Sequence, residues 1–343
     1  MMFGMTRKQL SLIVLVVQNS TLVLMMRYSR IVQKPGQPMY IASTAVFLAE
    51  VLKIIACLAV MYHQQRYWSK FVLVVRQEIL GKPKETAKML IPSSLYALQN
   101  NLLYVALSNL EAATFQVTYQ MKIMSTAIFS VVLLGRSLTR AKWFALVLLM
   151  IGVTLVQSQS MASAPPPSGE SGSIEDGSGV TQNPLIGLIA VITSCISSGF
   201  AGCYFEKILK TSDTSMWVRN IQLGLSGAVF SLVGMLMYDM QPLRQGGMLQ
   251  GYDWLTWVVI ANQALGGLLV AIVVKYADVI LKSFATSISL ILSSAISFYF
   301  FDFRLSLQFV VGACIVIFAT YNYSLPDKVS TTSTATATTK QHS

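Results

Sequence analysis

The chain has 343 residues, of which 54% are hydrophobic and 11% charged, and its mean hydropathy is +0.59. A soluble domain carries about 25% charged residues, so the polar surface that solubility requires is missing and a helical bundle in a bilayer is predicted. The formal net charge of +11 is spread over short segments rather than gathered into a patch, which argues against nucleic acid as a partner.

In chain order, apolar stretches of roughly 20 residues predict ten spans, at 10–26, 40–62, 86–107, 112–134 and 142–157, then 185–205, 217–237, 254–274, 279–301 and 305–323. Polar residues interrupt the third and the ninth. The first follows Arg7 and Lys8 and lacks a small-residue cleavage site, so it reads as a span and not as a signal peptide. With the amino terminus in the cytosol, eighteen Lys and Arg fall on the cytosolic side and five on the other; this bias places both termini in the cytosol. Segment 158–184 holds Pro, Gly and Ser but no Lys or Arg, and reads as a flexible lumenal linker. It separates a first five-helix half, 1–157, from a second, 185–323, and a Ser/Thr-rich tail, 324–343, reads as disordered. An odd number of spans per half sends the second half into the membrane from the opposite side. The fold class expected is therefore an all-α polytopic membrane protein, with ten transmembrane helices in two inverted five-helix repeats.

A charge at mid-membrane costs about 2.5–3.5 kcal/mol on insertion scales, and the first half carries three. Glu50 and Lys53 share a face of the second span, where they either neutralise each other or serve a ligand. Lys122, in the fourth, has no acidic partner at helical spacing and suits an anionic group. Phe115, Thr118 and Tyr119 share its face, as packing residues or as a ring-lined wall. Tyr96, Gln99, Asn100 and Asn101 lie in the third span, as base readers or as interhelical glue. In the second half, Lys282 sits about two turns into the membrane and is the better candidate for a phosphate contact; Lys275 reads as an interfacial anchor. Two lysines, one from each half, suit a diphosphate.

The four cysteines lie in apolar runs without metal-ligand spacing, and there are two histidines. No phosphate loop, HExxH or GxSxG appears. No metal, no cofactor and no enzymatic activity are expected.

The stretches LQNNLLYVALSNLEAATFQVTYQMKI, SSGFAGCYFEKILKTSDTSMWVRNIQL and GGLLVAIVVKYADVILKSFATSISLILSS resemble those of the nucleotide-sugar transporters. These form the A group of solute carrier family 35, within the drug/metabolite transporter superfamily. The likeness runs from about residue 7 to 326 and is greatest to the UDP-galactose and UDP-N-acetylglucosamine types; AATFQVTYQ, GRSLTRAKW and NQALGGLLVAIVVKYAD look most like the UDP-galactose type. Where CMP-sialic acid transporters carry a base-contacting tyrosine, this sequence has Gly224. Val279 and Ser283 replace the usual Asn and Gly around Lys282.

The resemblance implies a Golgi membrane protein, or one of the endoplasmic reticulum. Its expected activity is exchange of a cytosolic UDP-sugar, UDP-galactose preferred, for lumenal UMP. Its partners would be the nucleotide sugar, the nucleoside monophosphate and the lipid bilayer, with a homodimer or glycosyltransferases left open. By matched motif it places Tyr96, Gln99 and Asn100 in the nucleotide pocket, and Phe115 and Tyr119 beside them. Lys122 and Lys282 fall on the phosphates, Asn220 and Ser226 near the base or ribose, and Ser198 and Gly199 in the cavity wall. Glu50 and Lys53 would sit close to Lys122, with Glu50 as its counter-charge in the empty carrier. The competing readings are an exporter of another substrate class, which for cations would need an acidic core, a non-transporting scaffold, and a membrane-embedded glycosyltransferase.

Overall fold

The computed structural model describes residues 6–31, 40–162, 183–300 and 306–325, and among these the chain is helical with no strand. Most of the expected linker, residues 163–182, and the tail from 326 lie outside the described residues, as do Lys34 and Arg304. The first half runs α1 (Arg7–Ile31), α2 (Ala42–Gln65), α3 (Trp68–Val75), a π-helical turn (Arg76–Leu80), α4 (Pro83–Ala87), α5 (Leu90–Asn109), α6 (Ala112–Tyr119), α7 (Met121–Leu134) and α8 (Arg140–Ala162). The second runs α9 (Pro184–Thr211), α10 (Met216–Tyr238), α11 (Met240–Gly246), α12 (Trp254–Tyr276), α13 (Val279–Phe300) and α14 (Leu307–Ser324).

Nine helical runs among the described residues, α6 and α7 together counting as one, are long and apolar enough to cross a bilayer, where ten spans were expected. The difference lies at the third. α5 is a helix of 20 residues, long enough to cross, but Ser93, Ser94, Gln99, Asn100, Asn101 and Asn109 lower its apolarity. The fourth expected span is also not one helix. It breaks at Gln120, whose N–H donates to Val117 O at 3.2 Å while its own carbonyl accepts from Ile123 N at 3.0 Å. These three-residue steps interrupt the α-helical ladder one residue before α7 begins.

Contacts sort the helix ends onto two faces. On the first, Arg136 after α7 meets Glu206 near the end of α9 and Asp278 before α13. Arg219 at the start of α10 meets Glu85 ahead of α5, and Lys142 at the start of α8 lies 5.9 Å from the ring of Tyr323 near the end of α14. On the second face, Ser43 at the start of α2 bonds Asp239 at the end of α10. There Asn183 N–H, before α9, donates to Asn109 at 3.1 Å, and Gln308 of α14 donates to Ser158 of α8 at 2.8 Å. The long helices pack as α1 on α12 and α13, α2 on α10 and α12, α5 on α9 and α10, α7 on α9, and α8 on α14. The last pair meets backbone to backbone: a Cβ on Gly152 would lie 3.0 Å from Gly312 O, and one on Gly312 would lie 2.9 Å from Gly152 O. Such small-residue contacts hold helices together where lipid removes the hydrophobic drive.

Residues 66–89 form a strap across the first face. It starts where Arg66 takes the left-handed conformation, φ 59°, turning the chain at the end of α2. Buried side chains of α10 tie it down. Arg219 donates to Glu85 O at 3.2 Å, to Glu85 Oε2 at 2.7 Å and to Ser212 at 2.8 Å; Gln222 donates to Glu78 O at 3.3 Å and to Thr86 at 3.0 Å. Hydrogen bonds from Lys88 and Arg219 hold the Glu85 carboxyl down at about 2, against an ordinary 4.5. Its ionised form therefore favours the folded strap in full above pH 4.5, and that contribution disappears as the pH falls through about 2. Glu85→Gln should flatten the acid limb of the thermal-unfolding midpoint across pH ~2 to ~5; an acid limb identical to wild type would contradict this.

Candidate functional site

The wall around Lys122 is built from four helices. Phe115 and Tyr119, one turn apart on α6, stack with centroids 5.6 Å apart and planes 11° apart. The break at Gln120 then starts α7, and Lys122 in its first turn places its ammonium 4.0 Å from the centroid of the Tyr119 ring, within cation–π range. From α5, Gln99 donates to the Tyr119 hydroxyl at 3.4 Å. From α9, the Cys195 thiol donates to Tyr119 O at 3.4 Å and Cys203 to Thr126 O at 3.3 Å, so two of the cysteines read as packing residues fasten α9 to α6 and α7. The close approach of α9 to α7 needs Gly199, whose Cβ would lie 2.8 Å from the backbone carbon of Ser125.

Lys122 on α7 and Lys282 on α13, two helices in contact, are each half-buried. Neither has a carboxylate within 4.0 Å among the described residues. Two buried oxygen atoms on the same wall, Gln99 Oε1 and Ser125 Oγ, have no hydrogen-bond partner. Buried polar atoms normally have one, so a cationic wall with orphaned oxygens is suited to a polar anion.

Other expected site residues fall in different surroundings. Tyr96 is half-buried on α5, Asn100 is exposed on the same helix, and Ser198 is half-buried beside Gly199. Asn220 is buried and donates to Met216 O at 2.9 Å, and Ser226 is buried and donates to Gln222 O at 3.0 Å. Among the described contacts, none joins these two to the Lys122 wall. Glu50 pairs with Lys53 at 2.5 Å, the mutual neutralisation that their spacing allowed, and Lys122 has the Tyr119 ring at 4.0 Å. The reason is packing. Lys53 is buried and its chain runs past Gly224 and Gly267, where a Cβ would meet it at 3.5 and 3.0 Å, while Glu50 fills the space beside Gly227 at 2.9 Å. Those glycines berth the pair between α2, α10 and α12, and Gly224 leaves no room for a ring, since a Cβ there would lie 2.8 Å from Ile54.

One cluster went unread in the sequence. Glu206, with a fully buried side chain, takes an ion pair from Arg136, another from Lys210 at 2.7 Å and the Val279 N–H at 3.0 Å. Lys210 also donates to Ala277 O at 2.6 Å, and Arg136 reaches Asp278 at 3.3 Å. This knot binds α7, α9 and the α12–α13 turn on the first face. The Glu206–Lys210 spacing of four residues was its one local signal.

Residues 4–324 match the family profile described as nucleotide-sugar transporter. The chain belongs to that family. Among its relatives, the UDP-N-acetylglucosamine transporter of Mus musculus is 51% identical over 323 residues, covering 94% of this chain and 96% of that one. The UDP-galactose translocator of Mus musculus is 50% identical over 320 residues, covering 93% and 78%. A solved crystal structure at 12% identity superposes with a TM-score of 0.62 over 92% of this chain and 96% of that one, which shows a shared fold. The relatives of this nucleotide-sugar transporter are carriers and not enzymes, in keeping with the missing catalytic motifs.

Proposed function

We propose that this protein exchanges a UDP-sugar for UMP across the Golgi membrane by alternating access, with the first face and both termini in the cytosol. The observation that carries the reading is the pair Lys122 and Lys282, two cations in the membrane core without carboxylate partners. Such a pair is unfavourable when empty, and a diphosphate offsets both charges at once. Tyr119 and Phe115 offer rings for the base, and the orphaned oxygens of Gln99 and Ser125 suit donors on the base or ribose. Tyr96, Asn100, Ser198, Gly199, Asn220 and Ser226 complete the proposed pocket, the last two after rearrangement of α10. In the empty carrier the Tyr119 ring shields Lys122. The anion neutralises the two lysines and so favours the closed intermediate through which the loaded carrier reorients. Slow return of the empty carrier makes the traffic an exchange.

The helix pairing supports ten spans in two inverted repeats, with α5 as the third and α6–α7 together as the fourth. Exchanging the halves turns α1–α12 into α9–α5, α1–α13 into α9–α7 and α2–α12 into α10–α5. It also returns α2–α10 and α8–α14 to themselves, and all of these pairs occur. The Glu206 knot then closes the cytosolic mouth.

UDP-galactose is the substrate that the motif likeness favours. UDP-N-acetylglucosamine is the second reading, favoured by the 51% identity to its transporters. Counterflow by purified protein in proteoliposomes tests both. Vesicles preloaded with UMP should accumulate UDP-galactose faster than UDP-N-acetylglucosamine, and CMP-preloaded vesicles should take up little CMP-sialic acid. Equal stimulation by CMP would overturn the uridine assignment, and a faster rate for UDP-N-acetylglucosamine would select the second reading.

A further inference from the structure

α3 has eight residues, about 12 Å of helix, too short to cross a bilayer. Phe71 anchors it among Cys57, Met61, Val218 and Ile221 of α2 and α10. Its apolar side continues past that anchor. Trp68 is 66% exposed, Leu73 53% and Val72 42%. Trp68 is steadied by the rings of Tyr62 and Phe71, 5.9 and 5.4 Å away, at the end of a membrane-length helix where Trp and Tyr mark the bilayer boundary.

The strap's cations divide into two kinds. Lys82 and Lys88 are taken by Glu78 at 2.8 Å and Glu85 at 2.5 Å. Arg66, Lys70, Arg76 and Lys84 are exposed and have no carboxylate within 4.0 Å among the described residues; Lys70 has the Tyr67 ring at 5.3 Å. Four cations without carboxylate partners among the described residues therefore share the strap with an apolar flank that water would not favour. The geometry points to an anionic lipid as the occupant: its phosphate meets the cations and its acyl chains cover Trp68, Val72 and Leu73. A soluble nucleotide would satisfy the charges and leave the apolar flank bare. An acidic peptide would need to enter the headgroup layer to reach it. Because Gln222 and Arg219 tie the same strap to α10, and α10 berths Lys53 and Glu50 at Gly224 and Gly227, lipid bound here steadies the α2–α10 contact. This inference requires only that the spans lie in a bilayer and is independent of the transported solute.

Each juxtamembrane Lys or Arg raises binding to an anionic surface about fivefold. The full-length chain in neutral detergent with phosphatidylserine should retain that lipid in native mass spectra, and its unfolding midpoint should rise relative to phosphatidylcholine. High salt should shrink the rise by screening. In the variant R66Q/K70Q/R76Q/K84Q the apparent affinity should fall by roughly two to three orders of magnitude. Soluble glycerophosphoserine, which has the headgroup without the chains, should produce no rise. An undiminished phosphatidylserine response in the variant overturns the proposal, as does equal retention of the two lipids or an equal effect of glycerophosphoserine. Should the quadruple variant fail to fold, K70Q/K84Q, with a smaller but measurable loss of affinity, serves the same comparison.

Discussion

Lys122→Ala is expected to lower UMP-driven UDP-sugar counterflow by roughly two orders of magnitude while leaving the unfolding midpoint unchanged or raised. The first half of that expectation comes from the loss of a charge-assisted contact to phosphate, worth about 1.5–3 kcal/mol, together with the shielding that lets the loaded carrier close. The second half comes from the membrane. An ammonium among helices without a carboxylate partner is an unfavourable group in the empty protein, and only its contact with the Tyr119 ring at 4.0 Å softens that. Removing a merely structural lysine would do the reverse, lowering stability and sparing transport per folded molecule. Lys122→Arg keeps the charge and should retain part of the rate, so the two substitutions together separate charge from shape. Near-normal exchange by Lys122→Ala in proteoliposomes would refute the assignment of the phosphate to this wall.

Glu206→Ala is expected to destabilise the protein by about 3–5 kcal/mol, because it removes one partner from a buried ionic cluster and leaves the others without compensation. Arg136 retains Asp278, but Lys210 keeps only the carbonyl of Ala277 and the Val279 N–H keeps nothing. Glu206→Gln preserves an acceptor for Val279 and should fall between alanine and wild type. The cluster is also the proposed closure of the cytosolic mouth, so a milder readout is available. Cys203, fully buried about one turn below Glu206 on α9, should react faster with a membrane-impermeant maleimide in Glu206→Gln, in a chain whose other cysteines are serine. An unchanged alkylation rate, with the loss of stability confirmed, would leave Glu206 a structural residue and remove it from the closing of the mouth.

Features that repeat along one helix were legible in the sequence. Glu50 with Lys53 and Phe115 with Tyr119 are three or four residues apart on one helix, and their contacts follow from helical geometry alone. The neighbour of Lys122 shows the limit of such reasoning: the Tyr119 ring lies three residues back, across the break at Gln120 and on the preceding helix, where helical spacing alone does not fix the contact. Contacts that close over long separations left no such trace. Glu206 meets Arg136 and Val279 across some seventy residues in each direction, and Arg219 reaches Glu85 across a separation of 134. Nothing local in the sequence around Gln222 shows that it holds the strap, since Glu78 and Thr86 lie well over a hundred residues earlier. The break at Gln120 was hidden for another reason: the run 112–134 is long and apolar enough on average to read as one span, and hydropathy does not register a change in the backbone ladder.

The polarity of α5 also bears on how the protein is made. A segment with Gln99, Asn100 and Asn101 near its middle gains little from entering lipid alone when it leaves the ribosome. Its neighbours along the chain do not complete it. Ala106 packs against Ala190 and Val191, the Gln99 carbonyl accepts from Ser194 at 3.5 Å, and Gly187 lies against Leu110 and Asn109, so its lasting partner is α9, synthesised after the long linker. Assembly of the first half must therefore wait for the second. With α5 as the proposed third span, the translocon would hold it unfinished until the chain beyond residue 183 folds back onto it, and truncation before α9 should leave that helix without its main packing partner.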